Sequence, residues 1–132
     1  MEYNRANEIT VNSYLKDEIP SHYKIMRRND VKVRETKSDR RLYYFDEDVD
    51  IVVVSGSKSH IEPAHLHLEN TETYFVIQGR MILNVEGEAI WLQEGDLVTV
   101  KPGACHHFET FDEKVSFLAI KKQPGLDDKK LC

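Results

Sequence analysis

In Ala64-His65-Leu66-His67-Leu68 two histidines stand one residue apart, and Glu72-Thr73-Tyr74-Phe75-Val76-Ile77 follows closely. On a helix, residues i and i+2 project to nearly opposite sides; on a strand they share a face, so both imidazoles can reach one point. Leu66 and Leu68 alternate with the histidines, and the run after Glu72 is aromatic and β-branched, which reads as strand. Glu72 has the parity of Tyr74 and Val76 and projects inward with them if a second strand begins there. Two neutral imidazoles and a carboxylate suit one divalent transition metal ion: zinc, iron, manganese or nickel. His106, in Lys101-Pro102-Gly103-Ala104-Cys105-His106-His107-Phe108, is a fourth candidate ligand.

Outward from this stretch the texture stays that of short strands. Candidates are Tyr23–Arg28, Val31–Glu35, Leu42–Phe45, Val49–Ser55, Ala64–Leu68, Thr73–Gln78, Met81–Val85, Ala89–Leu92, Leu97–Val100, His106–Phe111 and Val115–Lys121. Turn signals separate them, among them Gln78-Gly79, Glu86-Gly87, Glu94-Gly95 and Pro102-Gly103. The pattern is that of an all-β sandwich or barrel. Ahead of the strands, Val11, Tyr14, Leu15 and Ile19 recur at helical spacing before Pro20, so a short N-terminal helix or arm is expected over residues 1–22. The tail, residues 123–132, is polar and is expected to fray.

Two spaced patterns between Ser59 and Thr110 resemble those of the cupin family. The first, G-x5-H-x-H-x4-E-x6-G, is matched by His65, His67, Glu72 and Gly79, with Ser59 in place of the first glycine. The second, G-x5-P-x-G-x2-H-x3-N, is matched by Gly95, Gly103 and His106; Lys101 stands for proline and Thr110 for asparagine. No departure touches a metal-type residue. The resemblance implies a single-domain double-stranded β-helix, or jelly-roll barrel, over residues 23–122, with metal ligands His65, His67, Glu72 and His106. It also implies a homodimer, as does the commonness of two-fold assemblies.

Within such a barrel alternate residues face the lumen. His106 shares a face with Phe108 and Thr110, which favours it over His107 as the fourth ligand. Tyr74 has lumen parity and is the candidate for acid–base catalysis. Lys101, in the turn at the barrel mouth, and Arg80, after Gly79, are the candidates for binding an anionic substrate; each also reads as a solvated turn residue. Three imidazoles and a carboxylate leave open positions on a six-coordinate ion, suited to a small oxygen-bearing molecule such as a sugar or organic acid. Isomerase, epimerase, lyase and dioxygenase chemistry all fit those residues, with family analogy favouring isomerisation. The competing reading is a non-catalytic metal- or metabolite-binding module.

The chain has 132 residues, enough for one domain with its own core. Its 18 basic and 23 acidic residues are interspersed, giving a net charge of −5 and no basic face for nucleic acid. The longest aliphatic run, Ile51 to Val54, is too short to span a membrane, and the N-terminus lacks a signal-peptide core. Two cysteines, Cys105 and Cys132, argue against a disulfide framework. On these grounds the chain is expected to be soluble and cytoplasmic.

Overall fold

Side chains alternate between a buried and a half-exposed face along Val49–Gly56, where Asp50, Val52 and Val54 turn inward, and along Val115–Lys122, where Val115, Phe117 and Ala119 do so. These segments pair antiparallel over eight positions, from Val49 opposite Lys122 to Gly56 opposite Val115. They form the centre of one of two five-stranded sheets in a computed structural model that describes residues 22–31, 33, 39–58, 60–122 and 128–132.

In chain order the strands are β1 (Asp39–Phe45), β2 (Val49–Gly56), β3 (His65–His67), β4 (Glu72–Gln78), β5 (Met81–Val85), β6 (Glu88–Leu92), β7 (Leu97–Val100), β8 (His106–Thr110), β9 (Val115–Lys122) and β10 (Lys129–Leu131). One sheet has the order β1-β2-β9-β4-β7 and the other β10-β3-β8-β5-β6. All strand pairs are antiparallel. The inner faces meet in a core that includes Leu42, Val52, Val54, Tyr74, Val76, Met81, Leu83, Phe108, Val115 and Phe117. Period-2 burial on both sheets is what a two-sheet jelly roll requires.

The β4–β5 turn depends on Gly79. Its φ is +79°, in the region open chiefly to glycine, and a Cβ there would collide with the Lys114 backbone carbonyl. Gly79→Ala is therefore expected to destabilise the fold by about 2–3 kcal/mol, read as a lower denaturation midpoint at unchanged m-value. An unchanged midpoint would show that the turn can relax.

Several expectations need correction. Tyr23–Arg28 is not a strand: residues 23–27 lack regular structure and Arg28–Asp30 forms a single 3₁₀ turn. Of Val31–Glu35, Val31 and Val33 are described, and Val33 makes only an isolated bridge to Arg41. Among the described residues the first strand begins at Asp39, earlier than the expected Leu42. The Arg41 guanidinium closes this end, donating to both Asp39 carboxylate oxygens at 2.6 and 3.0 Å and to the Arg28 and Val31 carbonyls. The helix expected before Pro20, and Ser59, lie outside the described residues.

The C-terminal end does not fray where it is described. Lys129, Lys130 and Leu131 pair with His67, Leu66 and His65. Cys105 and Cys132 are joined in a disulfide, against the expectation drawn from a count of two. That pairing also removes one ground for a cytoplasmic location, since disulfides persist mainly in oxidising compartments. No helix among the described residues is long and apolar enough to cross a membrane.

Candidate metal centre

His65 on β3 lies directly opposite His106 on β8, and His67 is one strand repeat along from His65. Glu72 comes from the other sheet, at the first position of β4, where it is in register with Val100 and Lys121. The four side chains meet between the sheets, with one ligand-type atom from each lying within 4.8 Å of all the others. All three histidines are buried, at 4, 5 and 2% exposure for His65, His67 and His106. Gly103, at a φ of +85°, makes the turn that leads into β8, and its N–H bonds the His67 carbonyl at 2.7 Å.

The hydrogen bonds decide what this cluster can hold. His65 Nδ1 lies 3.0 Å from the Pro63 carbonyl, His106 Nδ1 2.9 Å from the Ala104 carbonyl, and His67 Nδ1 3.0 Å from the Asp128 carboxylate. Those partners only accept, so each Nδ1 carries its proton and each neutral ring presents a lone pair on Nε2. The Nε2 atoms of His67, His106 and His65 stand 2.9, 3.1 and 3.9 Å from Glu72 Oε1. A carboxylate oxygen is itself an acceptor. Lone pairs and a carboxylate aimed at one point repel unless a cation stands among them, so the donor set fits a divalent metal ion.

Burial would raise the Glu72 carboxyl, but the three imidazoles that face it, His106 first, outweigh that and hold the group well below the usual carboxylate range. Burial lowers His106, yet Glu72 and the Ala104 carbonyl reverse that and leave it raised. Asp128 is held down at about 2: the penalty of burial is outweighed by donors from Glu69, His67 and Asn70.

The other expected site residues divide. Tyr74 is 3% exposed, and its ring stands edge-on to His106 at 6.2 Å between centroids. Burial, then the charges of Glu72 and Glu62, push its phenol well up. Lys101 follows Val100, the register partner of Glu72, and is exposed at the same end of the barrel. Arg80 is not brought to the cluster. It adjoins Met81, at the end of β5 opposite Val85, the partner of His106, and it is engaged by Asp112 at 2.7 Å and by the Phe111 ring at 4.8 Å.

Three residues were missed from sequence. Glu62 is pushed up by burial, partly countered by His65 and Arg40, and its Oε1 accepts from the Phe108 N–H at 3.3 Å. Arg40 sits opposite the buried Val54 on β1 and interacts electrostatically with Glu62 and Tyr74. Asp128 reaches His67 across 61 positions, beyond any local pattern. The Pro63 beside Glu62 and the alternation of Arg40 with Leu42 were the available signals.

A carboxyl raised in the folded state binds its proton more tightly there than in the unfolded chain, so Glu62 costs stability as pH rises above the unfolded value near 4.3. Glu62→Gln is expected to raise the melting temperature of metal-free protein at pH 7, the two proteins converging below about pH 4. A variant less stable at pH 7 would show that the ionised group is favourably held.

The two sheets enclosing a histidine-and-glutamate cluster define a double-stranded β-helix with a candidate metal centre. The pattern of the cupin domain matches residues 52–121, and the chain belongs to the cupin family. Quercetin 2,3-dioxygenase of Bacillus subtilis is 32% identical over 59 residues, covering 45% of this chain; the match spans only 18% of that relative's length. Among solved structures, a Klebsiella pneumoniae protein with a double-stranded β-helix domain superposes with a TM-score of 0.70 at 22% identity, over 84% of this chain and 98% of that one. KdgF from a Halomonas species does so at 0.66 and 19% identity, over 71% and 86%. These structural likenesses concern the fold.

Proposed function

We propose that this cupin is a metal-dependent enzyme acting on a small oxygen-bearing metabolite, a sugar or organic acid, with His65, His67, Glu72 and His106 as ligands. The observation that carries this reading is the convergence of three Nε2 atoms on Glu72 while every Nδ1 is committed to an acceptor. A bound ion would polarise a carbonyl or hydroxyl oxygen of the substrate. Glu62, whose carboxyl is pushed up by burial and which interacts with His65, Glu72 and His106, is the group to pass a proton to or from the adjoining carbon. Tyr74 keeps its proton and donates towards Glu72. Lys101 at the rim supplies positive charge for an anionic substrate, a role the Asp112-bound Arg80 is placed too far along the sheet to share.

That assignment favours isomerisation or epimerisation next to a carbonyl. The likeness to quercetin 2,3-dioxygenase supports dioxygenase chemistry as the second reading. Protein purified without a metal-affinity tag, reloaded with zinc, manganese, iron or nickel, distinguishes them. Solvent deuterium entering a sugar acid or keto acid marks the isomerase; oxygen uptake with quercetin or a catechol marks the dioxygenase. Tight ligand binding with neither marks a non-catalytic module, and failure to bind any of the four metals overturns both enzyme readings and leaves a metal-free metabolite-binding barrel. A homodimer is part of the proposal, and sedimentation as a monomer at micromolar concentration would remove it.

A further inference from the structure

The C-terminal segment touches the candidate metal centre at both ends of β10. At one end Asp128 is buried. Its Oδ1 meets His67 Nδ1 at 3.0 Å and Asn70 Nδ2 at 2.8 Å, and its Oδ2 accepts from the Glu69 and Asn70 N–H groups, both at 2.8 Å. The Leu68 N–H also donates to the Asp128 carbonyl, at 3.1 Å. At the other end Cys132 is bonded to Cys105, the residue immediately before His106, across a sequence separation of 27. The Cys132 N–H reaches the Ala64 carbonyl at 3.2 Å.

Between these anchors the strand itself holds little. It has three residues, all exposed, and lies at a sheet edge. A strand so short, burying no side chain, is marginal without other ties. The Asp128 hydrogen bonds and the disulfide are those ties. One fixes His67 and the other joins the residue before His106, so the strand spans two candidate ligands.

We propose that β10 is a strap on the metal centre, closed by the Cys105–Cys132 disulfide, with Asp128 as a positioning residue that orients His67 and reduction releasing it. The proposal rests on the metal-binding reading above. The reductant is a dithiol. One of its thiolates attacks a sulfur of the disulfide and expels the other cysteine as thiolate; its second thiolate then displaces the first cysteine. Two electrons and two protons pass to Cys105 and Cys132, and the dithiol becomes a disulfide. Cys132 is exposed and Cys105 half-buried, so the bond is open to attack. With the strap released, His67 loses the carboxylate that fixes its Nδ1–H tautomer. Outer partners of this kind commonly contribute about 10–100-fold to metal affinity.

The test measures zinc affinity, by competition with a chromophoric chelator, for the oxidised chain, for the chain reduced by a dithiol and then freed of it, and for C105S/C132S. Amide hydrogen exchange is followed on the same proteins without metal. The expected result is zinc binding weaker by about tenfold or more in the reduced and double-serine forms. Exchange should be faster at Leu68, Glu69, Asn70 and the C-terminal position, and unchanged in β9. D128A should weaken zinc similarly with the disulfide intact. The His67 ring nitrogen signals should then leave the Nδ1–H pattern, which a purely structural contact would not cause. Equal zinc affinity in all forms overturns the strap and leaves the metal reading standing. Unchanged exchange on reduction also overturns it. No zinc binding even by the oxidised chain overturns the metal reading, and the positioning role falls with it.

Discussion

Replacing His106 with alanine is expected to lower bound metal from about one ion per chain to a small fraction of that, with affinity down by more than ~100-fold. Loss of a residue that only supports a ligand already costs up to about that much, and in the proposed ligand set His106 coordinates directly. Its Nδ1 is held by the Ala104 carbonyl and its Nε2 faces Glu72, and among the described residues the cluster holds only His65, His67 and Glu72 besides it. His107 is the control. It lies on the opposite face of β8, half-buried, in register with Asn84, and His107→Ala should keep its metal. Elemental analysis of both variants decides the matter, and a His106→Ala protein that still carries a full complement would remove His106 from the ligand set. Stability gives a second readout. Metal at a hundred times its dissociation constant should add about 2.7 kcal/mol to wild-type protein and close to nothing to the variant.

The second large effect is expected at Phe117. It is 1% exposed, and its ring meets Phe108 at 5.0 Å and Tyr74 at 5.7 Å, both edge-on. Phe117→Ala removes a fully buried ring where strands on both sides restrict collapse, and should cost about 3–5 kcal/mol. Against a total of about 5–15 kcal/mol for a domain, that is a large share. Urea unfolding should show a lower midpoint at similar m-value. A loss below about 1 kcal/mol would mean that the core closes over the gap. Trp91 makes the contrast. It is 55% exposed and stands edge-on to Phe111, at 5.0 Å. Trp91→Ala should therefore move the midpoint far less.

Parity made much of the site legible. The alternation of His65 and His67 with leucines, and of His106 with Phe108 and Thr110, is local information, and it survives folding because neighbouring strand residues must face opposite ways. Glycine punctuation placed most of the hairpins for the same reason. What stayed hidden depends on partners distant in sequence. Asp39-Arg40-Arg41 lies outside the expected Leu42–Phe45 strand, yet it is strand: Arg41 is paired with Asp39, and Arg40 interacts electrostatically with Glu62 and Tyr74. The C-terminal segment reads as a frayed tail, because Lys129-Lys130-Leu131 gives no alternating pattern and its anchors, Asp128 and Cys132, bond residues distant in sequence. Two cysteines give no pattern from which to infer a bond.

The Nδ1 contacts differ in kind. Pro63 and Ala104 hold His65 and His106 through their carbonyl oxygens, atoms that every amino acid possesses. Point mutation at those positions leaves the supporting atom in place. His67 alone leans on a side chain, the carboxylate of Asp128, which a single nucleotide change can remove or replace. On the metal-binding reading, heritable variation in how tightly, or for which ion, this pocket is tuned therefore has one accessible route among the three imidazoles. Two of them are buffered by the backbone itself, and the third is left open to selection.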